Sequence, residues 1–332
     1  MEEEVIGVPH QLFLTNNGKR TELTPIVGQI TWSDSLEELG QKLDFVLPST
    51  ASTPYMPRFD MTLADTITLV NNGKIIVQGT ITDIVYTEKT RSVTCYDPLF
   101  YLNKSKTTKQ FKGDKTATAC IKELLAPFKI PTQHIAEMKT KIKKIYNEQT
   151  YSEILRDILY QAKREIGEDY RFQMENGKLL IDRQYAFLIN TSLELFQGSG
   201  KFDLLEFISN PQRRVSITEL RNSIVITKDD QVYTHIADTG SIGKYGLLQE
   251  TISFDGNTLA DAKRQALSAL QELNRVNEEA SFDLLGHDYV RSGRVLQVNE
   301  PKTGIIGQFI ITSTNHTLAN GIHKMNITLK RY

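Results

Sequence analysis

Apolar and polar residues alternate with a period of two through most of the first hundred positions. HQLFLTNNGKRTEL reads as two short strands around Asn16-Asn17-Gly18-Lys19, and TITLVNNGKIIVQGTITDIVYT repeats the device with a second Asn-Asn-Gly-Lys turn; both match the two-residue hairpin signature. KLDFVLP alternates and stops at Pro48, and SVTCYDPLFYL closes the segment with Pro98 as a strand terminator. From residue 116 the period changes. TATACIKELLAPF predicts a helix capped by Thr116 or Thr118, with Cys120, Ile121, Leu124, Leu125 and Phe128 on one face. QTYSEILRDILYQAKREIG predicts a stronger helix: Thr150 and Glu153 have capping-box spacing, Ile154, Leu155, Ile158, Leu159, Ala162 and Ile166 form the stripe, and Gly167 stops it. YRFQMENGKLLIDRQ is a further hairpin. FQGSGKF, at 196–202, is the best linker candidate. RVSITELRNSIVITK and QVYTHIAD read as strands, GSIGKYGLLQETISFDGN as a Gly-punctuated loop leading into one, and TLADAKRQALSALQELNRVNEE as the clearest helix.

The chain then repeats itself. Residues 293–329 follow the rhythm of 65–94: an alternating strand, a Gly- or Asn-containing turn, an apolar pair and a Gly (Gly79, Gly307), a β-branched run, a polar turn and a closing strand. Gly73, Gly79, Gly293 and Gly307 are the glycines this repeat singles out, in a structural role. The expected architecture is mainly β with an α+β insertion: two related β-barrel modules, 1–105 and 199–332 (the second with a helix at 258–276), around a smaller α+β domain at 106–198.

At 332 residues the chain exceeds one ordinary core. A net charge of −1 predicts no general attraction to nucleic acid or membrane, and no run approaches a membrane span. MEEEVIGVPH lacks the apolar core of a secretory signal, so export is expected inside an assembly or by lysis. Cys95 and Cys120 read as small buried hydrophobes of a reducing compartment. Charge is locally uneven: residues 101–145 hold eleven Lys against Asp114, Glu123 and Glu137, an excess of eight (11 − 3). Aromatic stacking partners for nucleic acid are sparse there, since only Phe111 and Phe128 stand among the lysines. A solvated face or an acidic protein partner is the favoured reading.

Catalytic signatures are missing from the sequence. It has no phosphate-binding loop, GxGxxG, GxSxG, HExxH or CxxC. Glu37-Glu38 and Asp229-Asp230 are adjacent acids in polar context, which suits solvated loops better than a glycosidase pair. His316 and His323 flank TLANGI and would face each other across a hairpin ladder. With no further ligands spaced for a metal, they read as partly exposed strand-end histidines. No cofactor or metal is expected.

Taken in order, VTCYDPLFYLNKSK, RNSIVIT, YGLLQETISFDGNTLADAKRQALSALQELN and SGRVLQV…GIIGQFIITSTNHTLANGIHKMNITL resemble the baseplate hub proteins of contractile phage tails, most closely the XkdQ-like hubs of defective prophages and tail-like bacteriocins, which are similar to myophage hubs and to the base of type VI secretion spikes. The resemblance implies tail-tube-like barrels and a homotrimer whose six modules match a six-fold tube above and a three-fold central spike below. It also implies a place in a virion or tail-like particle assembled in the bacterial cytoplasm. Its implied partners are the spike, the tail tube protein or tube initiator, baseplate wedge proteins and a tape measure protein in the lumen. No membrane and no specific nucleic-acid binding are implied, even where DNA passes through. A neutral to acidic lumen is expected, with the Lys-rich segment facing outward. Ending directly after the second module, the chain is expected to carry no spike of its own. The rival readings are a baseplate-borne cell-wall hydrolase and a monomeric carbohydrate- or protein-binding β-protein.

Overall fold

The computed structural model describes residues 10–49, 60–189, 192–194, 201–254 and 258–331. β1 (His10–Asn16), β2 (Lys19–Glu22), β3 (Gln29–Ser35), β4 (Lys42–Pro48), β5 (Thr66–Asn71), β6 (Lys74–Tyr86) and β7 (Thr90–Tyr96) form the first module. Both Asn-Gly turns adopt the doubly left-handed geometry that asparagine and glycine tolerate: Asn17 and Gly18 at φ 48° and 77°, Asn72 and Gly73 at 46° and 75°.

The middle unit comprises α1 (Phe100–Lys104), β8 (Lys106–Thr116), α2 (Ala117–Leu125), β9 (Thr132–Ile135), β10 (Lys141–Thr150), α3 (Tyr151–Ile166), β11 (Tyr170–Glu175) and β12 (Lys178–Arg183). Thr116 caps α2, and Thr150 with Glu153 completes a capping box on α3. Leu99 and Leu102 pack in this unit's core, which therefore begins before residue 106. The lysine-rich segment contains two strands that the pattern hid. β8 and β10 pair as an antiparallel ribbon, and their inward residues are few, Phe111, Ile142 and Tyr146. Lysines occupy half of the exposed positions and other polar residues nearly all the rest, so the alternation is masked.

The remaining elements are β13 (Ser192–Glu194), β14 (Lys201–Asp203), β15 (Ser209–Ser216), β16 (Ser223–Lys228), β17 (Gln231–Ala237), α4 (Thr239–Tyr245), β18 (Gln249–Ser253), α5 (Leu259–Leu273), β19 (Asn277–Leu285), β20 (Val295–Glu300), β21 (Ile305–Ala319) and β22 (Ile322–Arg331). Most of the linker expected at 196–202 lies outside the described residues. The Gly-rich stretch at 239–245 is helix, not loop, because Asp238 caps it through the Ser241 N–H. α5 ends at Leu273, short of 276. β16–β18 and α5 have a core of their own, built on Ile224, Ile226, Phe254, Ala262 and Ala266. This fourth unit is inserted between β15 and β19.

Removing that insertion exposes a duplication. The first module orders its strands β3-β4-β7-β6-β5 and the second β15-β19-β22-β21-β20, so the two share one connectivity. Both long strands carry a bulge at the matching point, between Ile81 and Asp83 in β6 and between Ile311 and Ser313 in β21. Aligned on the bulges, Phe45 matches Phe282, Leu47 matches Leu284, Ile81 matches Ile311 and Val93 matches Ile327. All eight side chains are buried. Beyond its bulge, β21 pairs antiparallel with β3, fusing both modules into one twelve-stranded sheet.

Candidate functional site at the module junction

The β21–β3 ladder aligns Thr314 with Asp34 and His316 with Trp32. Asp34 faces inward, with its side chain 8% exposed. Its Oδ1 accepts from the Ser292 N–H at 3.0 Å and the Thr314 hydroxyl at 2.5 Å, and its Oδ2 meets Arg291 Nε at 3.3 Å. Burial alone would raise this carboxyl. The Arg291 guanidinium and the two hydrogen bonds outweigh it, so the group titrates below the usual carboxylate range.

Arg291 also donates to the Met174 carbonyl of β11 (2.5 Å), and Arg171 Nη2 donates to the Ser292 carbonyl (3.2 Å) and hydroxyl (3.0 Å). Gln184 donates to the Gly293 carbonyl. The segment 286–294 thus ties both modules to the middle unit. Asp34, Asp97, Arg171 and Arg291 line a cavity of about 20 Å³, the size of one water. Burial lowers Arg171 to about 10 and raises Asp97 to about 6, the latter against N–H donation from Gln41 and Leu99.

Gly293 sits where no other residue fits: φ is 79°, and a Cβ would lie 1.9 Å from Arg171 Nε. Gly293→Ala is expected to lose about 3 kcal/mol in urea unfolding. In an Arg171→Ala background the clash disappears and about 1 kcal/mol of backbone strain remains. Gly73 occupies a hairpin turn with open space around it. Its counterpart in the second module is Gly304, in the β20–β21 turn (φ 76°), rather than Gly293. Gly79 and Gly307 are both strand glycines at close approaches: a Cβ would lie 2.7 Å from the Tyr96 carbonyl oxygen and 2.9 Å from Arg331 Nη1, respectively. They stand opposite Ile67 and Val298, which are not matching positions of the duplicated ladder.

A second cluster lies on the same junction. The rings of Trp32 and His316 stack at 4.9 Å with 3° between their planes. His316 Nδ1 is 3.1 Å from His323 Nε2, and His316 Nε2 is 3.1 Å from the Val290 carbonyl. Asp288 lies 2.9 Å from His10 Nε2 and 3.9 Å from His323 Nδ1, and accepts from Asn71 Nδ2 at 2.5 Å. The two histidines do face each other, but they are not partly exposed strand ends: His316 is buried, and His323 has an 11% exposed side chain. Residues distant in sequence, His10, Trp32 and the 286–290 turn, cover them. Burial pushes His316 down to about 4 and His323 to about 3. Cys95 and Cys120 are free and buried, and Asp229 and Asp230 stand exposed in the β16–β17 turn. Among the described residues no helix is long and apolar enough to cross a membrane.

The geometry that β3 and β21 share has two unmatched counterparts. Among the described residues, β6 past its bulge has β7 on one side and no strand on the other, and β15 pairs only with β19. Val85, Tyr86 and Val215 are 51%, 65% and 55% exposed on these edges.

A family model described as YQBQ-like matches residues 30–330. The phage-like element PBSX protein XkdQ of Bacillus subtilis (strain 168) is 27% identical over 281 residues, covering 81% of this chain and 82% of its own. Among solved structures, the 43 kDa tail protein of prophage MuSo2 from Shewanella oneidensis superposes with a TM-score of 0.69 at 15% identity, covering 97% and 98% of the two chains. The E. coli c3393 protein, described as a type VI secretion system component with structural similarity to T4 bacteriophage tail proteins gp27 and gp5, superposes at 0.51 with 10% identity over 92% and 74%. The fold is that of phage tail proteins.

Proposed function

The chain belongs to the YQBQ-like family, and from that membership and the junction geometry we propose that it is a structural, non-enzymatic hub of a contractile tail or tail-like particle, a trimer that joins a six-fold tail tube to a three-fold central spike. The observation that carries this reading is the pair of free edges. Within the chain, β21 beyond its bulge is paired by β3. The duplication makes β6 the counterpart of β21 and β15 the counterpart of β3. Pairing β6 of one copy with β15 of the next, and closing after three copies, gives every module the same neighbours.

The ladders also fix the register. Ser313 opposite Ser35 corresponds to Asp83 opposite Ser216, Thr314–Asp34 to Ile84–Val215, and His316–Trp32 to Tyr86–Arg213. Tyr86 and Val215 would then be covered, with the Arg213 guanidinium over the Tyr86 ring. Eight strands per chain, β15-β19-β22-β21-β3-β4-β7-β6, make 24 in a trimer (3 × 8). At roughly 4.8 Å spacing and about 40° tilt the circumference is about 150 Å, and about 38 Å stays clear after side chains. The sheet face opposite the cores bears Thr31, Ser33, Thr94, Asn315, Asn326 and Thr328. Lys42, Asp44, Glu279, Asp283, Lys324 and Lys330 share that face, and a polar wall with both signs of charge interspersed suits passage of DNA or an extended protein such as a tape measure. The β8–β10 ribbon turns its lysines outward in this reading, toward wedge proteins.

An Ile84→Cys, Val215→Cys double variant tests the arrangement. In the assembled particle, oxidation is expected to give a covalent trimer on a denaturing gel, since directly opposed Cβ atoms lie about 5 Å apart. Six-fold densities from three chains in a low-resolution image of the particle are the companion expectation. Cross-linking confined within single chains, or none in the assembled state, sinks the trimeric hub.

A further inference from the structure

We infer that His10, Asp288 and His323 form a site for one divalent transition-metal ion, a clamp between the two modules. Their three nearest donor atoms, His10 Nε2, an Asp288 carboxylate oxygen and His323 Nδ1, all lie within 4.8 Å of one another. Two imidazoles and one carboxylate are the donor set of zinc and its neighbours, not of calcium or magnesium, which take oxygen ligands. In a tetrahedral zinc site, ligand atoms stand about 3.3 Å apart. The observed 2.9 Å and 3.9 Å to Asp288 bracket that value and the His10–His323 separation lies within 4.8 Å, so side-chain adjustment of the two histidines completes it.

Hydrogen bonding orients the ligands. The Val290 carbonyl can only accept, so His316 Nε2 carries the proton and a neutral His316 leaves Nδ1 bare. His323 Nε2 must then donate to it, which leaves His323 Nδ1 as a lone pair facing the Asp288 carboxylate. Two acceptors pointed at each other repel; a cation between them reverses the sign. This is the relay by which metal-binding histidines are fixed, the distal nitrogen donating to an outer partner. Asn71 does the same for Asp288, holding its second oxygen.

Two orphaned atoms agree. His10 Nδ1 and Asn71 Oδ1 are buried without hydrogen-bond partners, on side chains that oppose each other across the β1–β5 ladder. Metal at His10 Nε2 moves the ring proton to Nδ1, giving His10 a donor where its ladder partner Asn71 has an unused acceptor. Room for His323 is also built in: a Cβ at residue 286 would lie 2.1 Å from its ring, and Gly286 has none.

The test uses the full chain, stripped with a chelator and titrated with Zn²⁺ or Co²⁺ alone. One ion per chain is expected, with the Co²⁺ visible bands of a low-coordinate nitrogen–oxygen site and a melting temperature raised by roughly 5 °C at saturation. His10→Gln and Asp288→Asn should each weaken binding about 100-fold or more, and His316→Gln by about 10- to 100-fold through the outer partner alone. Gly286→Ala should weaken it by displacing His323. Should the ligand variants fail to fold, anomalous diffraction from zinc-soaked crystals of the unaltered protein decides. A peak between the three side chains supports the site. A peak only elsewhere, no binding at Zn²⁺ up to about 100 µM, far above the dissociation constants of structural zinc sites, or binding that the substitutions leave unchanged overturns it.

Discussion

Asp34→Ala is expected to lose about 3–5 kcal/mol of stability, because it strands the buried Arg291 guanidinium and removes the acceptor for Ser292 and Thr314. The loss reaches three bodies at once, since Arg291 and Ser292 are also the residues that Met174 and Arg171 of the middle unit engage. Urea unfolding should become less cooperative, with the middle unit parting from the modules. Asp34→Asn keeps the Oδ1 acceptor and is expected to lose less. The pH dependence has a definite sign. Asp34 is lowered in the fold, so its contribution is present above about pH 4 and is lost as pH falls through the folded value. Asp97, raised to about 6, works in the opposite sense: its contribution is full below about pH 4 and is lost as pH rises toward 6. Melting temperature followed from pH 3 to 8 should pass through a maximum between those limits. Asp97→Asn should flatten the neutral side and Asp34→Asn the acid side. A profile that neither change alters would remove the charge network from the account.

Val215→Asp is the counterpart at the proposed seam. In the single chain Val215 is 55% exposed, so folding should be altered by less than about 0.5 kcal/mol. Opposite Ile84 of the next copy, the carboxylate would be desolvated in place of a buried valine, at about 2–3 kcal/mol per seam. A ring of three copies has three such seams, so assembly is expected to fall by at least about 100-fold while the monomer melts normally. Analytical ultracentrifugation, together with incorporation into particles, measures both halves. Normal particle assembly by this variant would place the seam elsewhere.

What the sequence disclosed was local. The Asn17-Gly18 and Asn72-Gly73 hairpins, the Thr150–Glu153 capping box and the stripe of α3 are set by residues within a few positions of one another, and the duplicated strand–turn–strand rhythm is a local pattern seen twice. Where a local rule gave the wrong answer, a competing one explains it. Lysines at exposed positions hid β8 and β10, and Gly240 and Gly243 hid α4, which Asp238 starts. The resemblance of Gly79 to Gly307 was a coincidence of spacing, whereas the shared bulge, which no residue type announces, is the true point of alignment. The pairings across the junction were not legible. Asp34 is 257 positions from Arg291 and His10 is 278 from Asp288, and nothing near either residue signals its partner. His316 and His323 were visible as a pair, but their burial depends on Trp32 and His10, supplied by the other module.

The insertion of β16–α5 between β15 and β19, with no counterpart between β3 and β4, makes the copies unequal. In the proposed three-chain ring, neighbouring contacts alternate between one within a chain and one between chains. One is covalently tethered and cemented by Asp34, Arg291 and the Trp32–His316 stack; the next is held by side chains such as Tyr86 and Arg213, without a tether. In that proposed ring, mechanical load would concentrate on every second contact, and fracture would release whole protomers, each keeping its own tethered pair intact.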